Sequence, residues 1–368
     1  MALTPTLQDL LDRFRAGKTT ALARAISMVE DERPGFQDFL HEVLKSGPST
    51  ARVGFTGPPG AGKSSIVAAL STAYRGRGED VGIVAVDPTS PFSGGALLGD
   101  RIRMNDLATD TGIFIRSMAT RGSLGGLATT TKEVMDLMDA FGFARVLVES
   151  VGVGQTELEI TAAADTVVVV LVPESGDAIQ AMKAGLMEIA DVFVVNKADR
   201  PGAERLVREI RQAIHLRSGS ALRDVPAHHG VDLRRLKRHE APAPAAGGQQ
   251  GTTRPTDDVK VGWEIPVLKT VAQSGEGLDE VLDAIDRHRA WLLDSGEIEV
   301  RRRARARVRV QNVVDRELRL LARRTADSGG RLERGLDDIQ RGAETPYSVA
   351  RTVLEELLGS DAPDSSPR

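Results

Sequence analysis

A doubly wound α/β fold on a mostly parallel sheet is the architecture this chain predicts, on three observations. From Arg52 to Arg289, strand-like and helix-like segments alternate, the rhythm of helices wrapping a parallel sheet. The strand-like segments are short and almost continuously apolar, as in Val81 to Val86 and Val167 to Val172, which suits strands buried on both faces. Between the first strand and first helix of that series lies Gly57-Pro58-Pro59-Gly60-Ala61-Gly62-Lys63-Ser64, a complete G-x-x-x-x-G-K-[ST] phosphate-binding loop. In such sheets ligands bind outside the carboxyl ends of the strands.

Taken in order, Leu22, Ile26 and Val29, then Phe36, Phe39, Leu40 and Leu44, recur at helical spacing and predict N-terminal helices within residues 1–48. The α/β region spans 49–295. Its strands are predicted at Arg52 to Thr56, Val81 to Val86, Ile113 to Ile115, Val146 to Val148, Val167 to Val172, Val192 to Val195 and Val267-Leu268. Helical patterns cover Ser65 to Arg75, Leu127 to Ala140, Ala178 to Ala190 and Leu278 to Leu293. Within residues 218–262 the pattern fails, and the Ala, Pro, Gly and Gln of 241–251 read as a flexible inserted linker. Residues 296–358 are helical in pattern, with Thr345 as an N-cap and Pro346 at the first helical position. Residues 359–368 are too polar and Pro-rich to pack.

Composition removes several classes. The 48 Lys plus Arg against 52 Asp plus Glu give a net charge of −4, no footprint for nucleic acid. Zero cysteines exclude disulfides and thiolate metal sites. No apolar run approaches the roughly 18 residues of a membrane span, and Asp9 and Asp12 break any basic-then-apolar leader pattern. The expectation is a soluble, cytoplasmic protein with no membrane contact.

The phosphate loop carries its own chemistry. Backbone N–H groups of Gly57 to Ser64, with Ser65 beside them, can curl around phosphate oxygens at a helix N-terminus. Lys63 would reach the β- and γ-phosphates, and the Ser64 hydroxyl would hold Mg²⁺. Gly17-Lys18-Thr19 also spells G-K-T, but Asp12 stands where the first glycine belongs; this reads as a polar turn between helices.

Asn196-Lys197-Ala198-Asp199 follows directly on a predicted strand. A carboxylate there accepts from guanine N1–H and its exocyclic amine, a donor pair adenine lacks, and a site built on such bonds rejects partners without them. Asn196 would brace the loop, Lys197 would lie along the base, and the Ala272 backbone would reach guanine O6. Asp87, at the end of the second strand, and Asp100 are candidate Mg²⁺ or metal-water ligands, since that ion takes few carboxylates plus phosphate and water. Glu149-Ser150-Val151-Gly152 resembles the D-x-x-G switch of GTPases, with Glu149 meeting the metal through water and the Gly152 amide sensing the γ-phosphate. Ras-like GTPases position the attacking water with a glutamine just after that glycine; here Val153 stands there and Gln155 lies two residues on. Slow intrinsic hydrolysis, accelerated or gated by a partner, follows.

Gly57 to Ser64, Asp87-Pro88-Thr89-Ser90-Pro91 through Gly99-Asp100, Ser123 to Gly126, Glu149 to Gln155 and Asn196 to Asp199 together resemble the methylmalonyl-CoA mutase-associated GTPases. These are G-protein chaperones of cobalamin-dependent acyl-CoA mutases, and some relatives once went by the name of an arginine/ornithine transport kinase. The resemblance covers roughly Leu22 to Leu358 apart from the insertion. It implies a P-loop GTPase domain using GTP/GDP and Mg²⁺, a C-terminal helical dimerisation arm and a homodimer. It further implies docking on a mutase whose adenosylcobalamin loading and protection the nucleotide state gates, with no cobalamin held by this chain itself. Arg103 would belong to the first switch, and Asp177, Gln180 and Lys183 to a partner-coupled one. Ser93, Arg101 and Val271 depart from the Thr, Lys and Ser expected.

Two other readings use the same residues. A metal-centre maturation GTPase needs Cys or His ligands, and this chain offers only His41, His215, His228, His229, His239 and His288. A P-loop kinase would leave Asn196 to Asp199 without a purpose. The Arg-rich run Arg301 to Arg309 lacks interleaved aromatics and reads as a charged helix face near an interface rather than a nucleic-acid site.

Overall fold

The computed structural model describes residues 3–47, 49–87, 107, 109–119, 129–150, 160–173, 185–218, 262–327 and 330–359. The chain divides into two compact units, Met1–Arg302 and Arg303–Arg368.

Among the described residues, seven strands build the first unit: β1 (Ala51–Thr56), β2 (Val81–Asp87), β3 (Ile113–Ala119), β4 (Arg145–Glu149), β5 (Thr166–Leu171), β6 (Val192–Asn196) and β7 (Val267–Thr270). They form one sheet in the order β3-β2-β4-β1-β5-β6-β7, and every pairing is parallel. The apolar runs thus mark strands buried on both faces. Boundaries move by a residue or two, except that β3 continues four residues past Ile115. There Arg116, Ser117, Met118 and Ala119 pair with β2, because sheet pairing rather than apolar pattern sets where an edge strand stops.

The helices are α1 (Pro5–Arg15), α2 (Thr19–Glu30), α3 (Phe36–Val43), α4 (Lys63–Gly76), α5 (Thr129–Phe141), α6 (Ala203–Ser218) and α7 (Leu278–Asp294). Gly17 and Lys18 form the turn between α1 and α2, as the failed G-K-T match predicts. Val84, Val86, Val146, Val148, Val169 and Phe193 meet α1 to α3, α5 and α6 on one sheet face. Phe55, Ile83, Leu147, Val168 and Val170 meet α4 and α7 on the other. The N-terminal helices therefore extend the core of the α/β layer. Asp139 of α5 accepts from the Ser49 and Thr50 amides, both at 3.0 Å, and from Arg52 at 2.8 Å. That ties the entry of β1 to the helical face. Of the helix predicted over 178–190, a single turn at Met187–Ile189 is described, and residues 174–184 lie outside the described residues.

The second unit holds the larger part of α8 (Glu297–Asp327), then α9 (Arg331–Gln340) and α10 (Pro346–Gly359). Thr345 caps α10: its hydroxyl accepts from the Ser348 amide at 3.2 Å while the Ser348 hydroxyl accepts from the Thr345 amide at 2.9 Å. Two otherwise unpaired N-terminal donors are satisfied reciprocally. Among the described residues no helix is long and apolar enough to cross a membrane.

Candidate nucleotide site

Strand order places the candidate residues together. β1 lies between β4 and β5, so the loop leaving its carboxyl end has neighbours on both sides. Gly57 opens that loop at φ +137°, and a Cβ there would lie 2.0 Å from the Val170 carbonyl oxygen of β5. Gly62 closes it at φ +86°, where a Cβ would lie 2.3 Å from Asn196 Nδ2. Both positions require glycine on backbone conformation and on space.

Lys63 and Ser64 begin α4, slightly earlier than the apolar pattern suggests, and both are buried. Lys63 Nζ donates to the carbonyls of Gly57 at 2.9 Å and Pro58 at 3.2 Å, folding the ammonium over the mouth of its own loop. The Ser64 hydroxyl donates to Glu149 Oε1 at 2.7 Å. Glu149 is the last residue of β4 and pairs with Phe55 of β1, so the sheet register delivers a carboxylate to the start of α4 from 85 residues away.

Asn196 is the joint of the site. Its amide donates to the Ala61 carbonyl at 2.8 Å, and its Oδ1 accepts from Thr270 Oγ1 and the Ala272 amide, both at 3.1 Å. One buried side chain thus connects the phosphate loop, the end of β6 and the loop after β7. The Ala198 amide adds a bond to the Thr270 carbonyl at 3.0 Å. Lys197 takes φ +55°, a left-handed turn uncommon for a non-glycine residue and concentrated at functional sites. That turn is followed by Asp199, whose side chain is exposed.

The structure therefore gathers Gly57 to Ser64, Glu149, Asn196 and Ala272 through direct bonds, with Ser65, Lys197 and Asp199 adjoining in sequence. Asp87 ends β2 on the same edge, separated from β1 by β4. Asp100, Arg103, Gly152, Gln155, Asp177, Gln180 and Lys183 lie outside the described residues. Sequence reasoning missed Thr270, Thr56 and Ser150, buried hydroxyls at the ends of β7, β1 and beyond β4. Their signal is a Thr or Ser beside a motif, too common to single out.

Ser64 and Glu149 supply two hard oxygen donors beside the phosphate loop, which fits Mg²⁺, an ion held by one or two carboxylates plus phosphate and water. Among the described residues no cluster of three or more His, Asp or Glu could hold a metal on its own.

The remaining polar candidates have structural work. Arg301 pairs with both Asp191 oxygens at 3.0 Å, and Arg302 reaches Asp165 at 3.2 Å. The first two residues of the Arg-rich run are thus internal ion pairs at the starts of β5 and β6, correcting their reading as part of a charged surface. His288 is fully buried against Trp263 and Trp291. Burial holds its pKa down to about 4, against an upward pull from Asp191.

A seven-stranded parallel sheet with a phosphate loop stapled to an N-K-x-D loop defines a P-loop GTPase domain. Comparison with known families agrees and narrows it. The chain belongs to the family of methylmalonyl-CoA mutase-associated GTPase MeaB, whose profile matches residues 22–327, and is accordingly a GTP-hydrolysing enzyme that binds GTP and GDP. A Pyrococcus horikoshii protein carrying the name GTPase is 38% identical over 353 residues, 96% of this chain and 99% of that protein. The mitochondrial methylmalonic aciduria type A homolog of Mus musculus is 31% identical over 325 residues, covering 83% of this chain and 70% of its own. A crystal structure of a LAO/AO transport system kinase superposes with a TM-score of 0.62 at 25% identity, across 97% of this chain and 99% of that one.

Proposed function

We propose that this GTPase is a chaperone that docks on a cobalamin-dependent acyl-CoA mutase of the methylmalonyl-CoA mutase type. Its nucleotide state gates adenosylcobalamin loading and protects or reactivates the mutase. The observation that carries this reading is the family match across residues 22–327, which takes in the whole site and both ends of the sheet.

In this reading Asp199 accepts from guanine N1–H and its amine, Lys197 lies along the base, and the Ala272 backbone meets O6. Asn196 holds that loop against the phosphate loop through its bond to Ala61. Backbone amides of Gly57 to Ser65 receive the phosphates. Lys63 exchanges the carbonyls of Gly57 and Pro58 for β- and γ-phosphate oxygens. Ser64 and Glu149, with Asp87 and Asp100, would hold Mg²⁺, which would supply positive charge against the β- and γ-phosphates. Gly152 senses the γ-phosphate. Val153 replaces the water-positioning glutamine, so Gln155 or a partner group orients the water and intrinsic turnover is slow. Arg103, Asp177, Gln180 and Lys183 couple the site to the mutase.

The homodimer forms through the C-terminal helices of 296–358. Supporting this, α8 exposes Val310, Val314, Leu318 and Leu321, a seam at spacings of four, four and three that suits a facing helix. The protein works in the cytoplasm and holds no cobalamin itself.

The test is nucleotide preference together with complex formation. GTP should outcompete ATP by orders of magnitude, and the GTP-bound protein should co-elute from a sizing column with the mutase of the same organism. Comparable ATP binding would sink the guanine assignments; absence of any complex would sink the mutase assignment.

A further inference from the structure

Two hydroxyl bonds hold the carboxyl end of β4, one on each face of the sheet: one ties it to the start of α4, the other to the end of β1. Phe55 and Leu147 point to the α4 face, and Glu149, in register with Phe55, points there too and meets Ser64. Thr56 and Ser150, each one residue further on, point to the opposite face, where Val146 and Val148 pack. There the Ser150 hydroxyl donates to Thr56 Oγ1 at 3.0 Å, and both side chains are buried. The Ser150 amide also donates to the Phe55 carbonyl at 3.0 Å, carrying the pairing one step past Glu149. Thr56 immediately precedes Gly57, and Ser150 immediately follows Glu149. The clasp therefore joins the root of the phosphate loop to the root of the segment that carries Gly152 and Gln155.

We propose that Ser150 and Thr56 are positioning residues for the metal-dependent part of GTP binding and hydrolysis. Their bond fixes the register at which the Glu149 carboxylate is presented to Ser64. This rests on the reading of Glu149 and Ser64 as the Mg²⁺ side of the site. The physical ground is that a carboxylate at a strand end follows the sliding of that strand. A buried hydroxyl that loses its partner has no water to replace it; Thr56 stays paired with Val169 of β5, so the shift that resatisfies the one left behind falls on the end of β4. Base and phosphate contacts that do not involve β4 are untouched by that shift.

The experiment titrates Mg²⁺ against the release rate of a fluorescent GDP analogue, and separately measures GDP affinity in EDTA and the thermal midpoint. Ser150→Ala and Thr56→Val should each raise the half-saturating Mg²⁺ concentration about three- to tenfold, the range of one net hydrogen bond. The double variant should be no worse than either single one. Thr56→Ser, which keeps the hydroxyl, should stay within about twofold of wild type, and GDP affinity in EDTA should not move for any of them. Wild-type Mg²⁺ dependence in Ser150→Ala and Thr56→Val, or effects that add in the double variant, would overturn the clasp. Glu149→Gln separates the two levels. If it shifts the Mg²⁺ midpoint and the hydroxyl variants do not, the clasp alone fails. If Glu149→Gln also leaves the midpoint in place, the metal assignment fails and the clasp with it.

Discussion

Asn196→Ala removes three hydrogen bonds at once and strands what they satisfied: the Ala61 carbonyl, the Thr270 hydroxyl and the Ala272 amide. Each bond is worth about 0.5–1.5 kcal/mol net, so the three together come to about 2–4 kcal/mol. The loss divides between folding and ligand binding, according to whether the loops are already organised before nucleotide arrives. Urea unfolding of the nucleotide-free protein reads the first share, and GDP titration of the folded protein reads the second. Their sum should be about 2–4 kcal/mol; if all of it falls on binding, GDP affinity drops roughly 30- to 1,000-fold. Thr270→Val removes a single one of the three and should show about 1 kcal/mol by the same two measurements. A combined loss below about 0.5 kcal/mol in Asn196→Ala would refute the idea that this side chain organises the site.

Other outcomes follow from the same geometry. Asp199→Asn exchanges a double acceptor for a group that can donate to a carbonyl, so competition binding should show GTP preference falling and xanthosine triphosphate admitted; unchanged guanine preference would remove Asp199 from base reading. Gly57→Ala drives a Cβ to 2.0 Å from the Val170 carbonyl oxygen at φ +137° and should lower the thermal midpoint by several degrees, whereas Gly60→Ala, with open space around it, should cost less. For His288, whose pKa is lowered to about 4 from 6.5, the unfolded chain takes up the proton first as pH falls. Its contribution is complete above about pH 6.5, fades as pH drops toward 4, and is of order 3 kcal/mol at most. Urea midpoints at pH 4.5 and 7 should differ less in His288→Gln than in wild type, and an equal difference would show that the burial of His288 is not linked to acid stability.

Much of this arrangement is readable from local pattern because its determinants are local. The apolar runs at Val81 to Val86 and Val167 to Val172 predict doubly buried strands, and the phosphate loop announces its turn through glycines that only that backbone needs. The N-K-x-D run predicts the bracing role of Asn196, and the structure gives it three bonds. Helix α6 escaped because Ala203–Ser218 is rich in charge, so its apolar stripe is thin. What stays hidden depends on register between distant strands. Thr56 meets Ser150 across 94 residues and Arg301 meets Asp191 across 110; no spacing rule connects them. Arg301 and Arg302 therefore look like two more members of a basic run, although they neutralise buried carboxylates at the opposite edge of the sheet from the phosphate loop.

GTP turnover by the purified protein, with and without the cobalamin-dependent acyl-CoA mutase of the same organism, tests the central claim most directly. Slow turnover alone and a severalfold rise when the mutase is added are the expected result. Turnover that is unchanged by the mutase, with no complex on sizing, would contradict it and leave a GTPase with a different client.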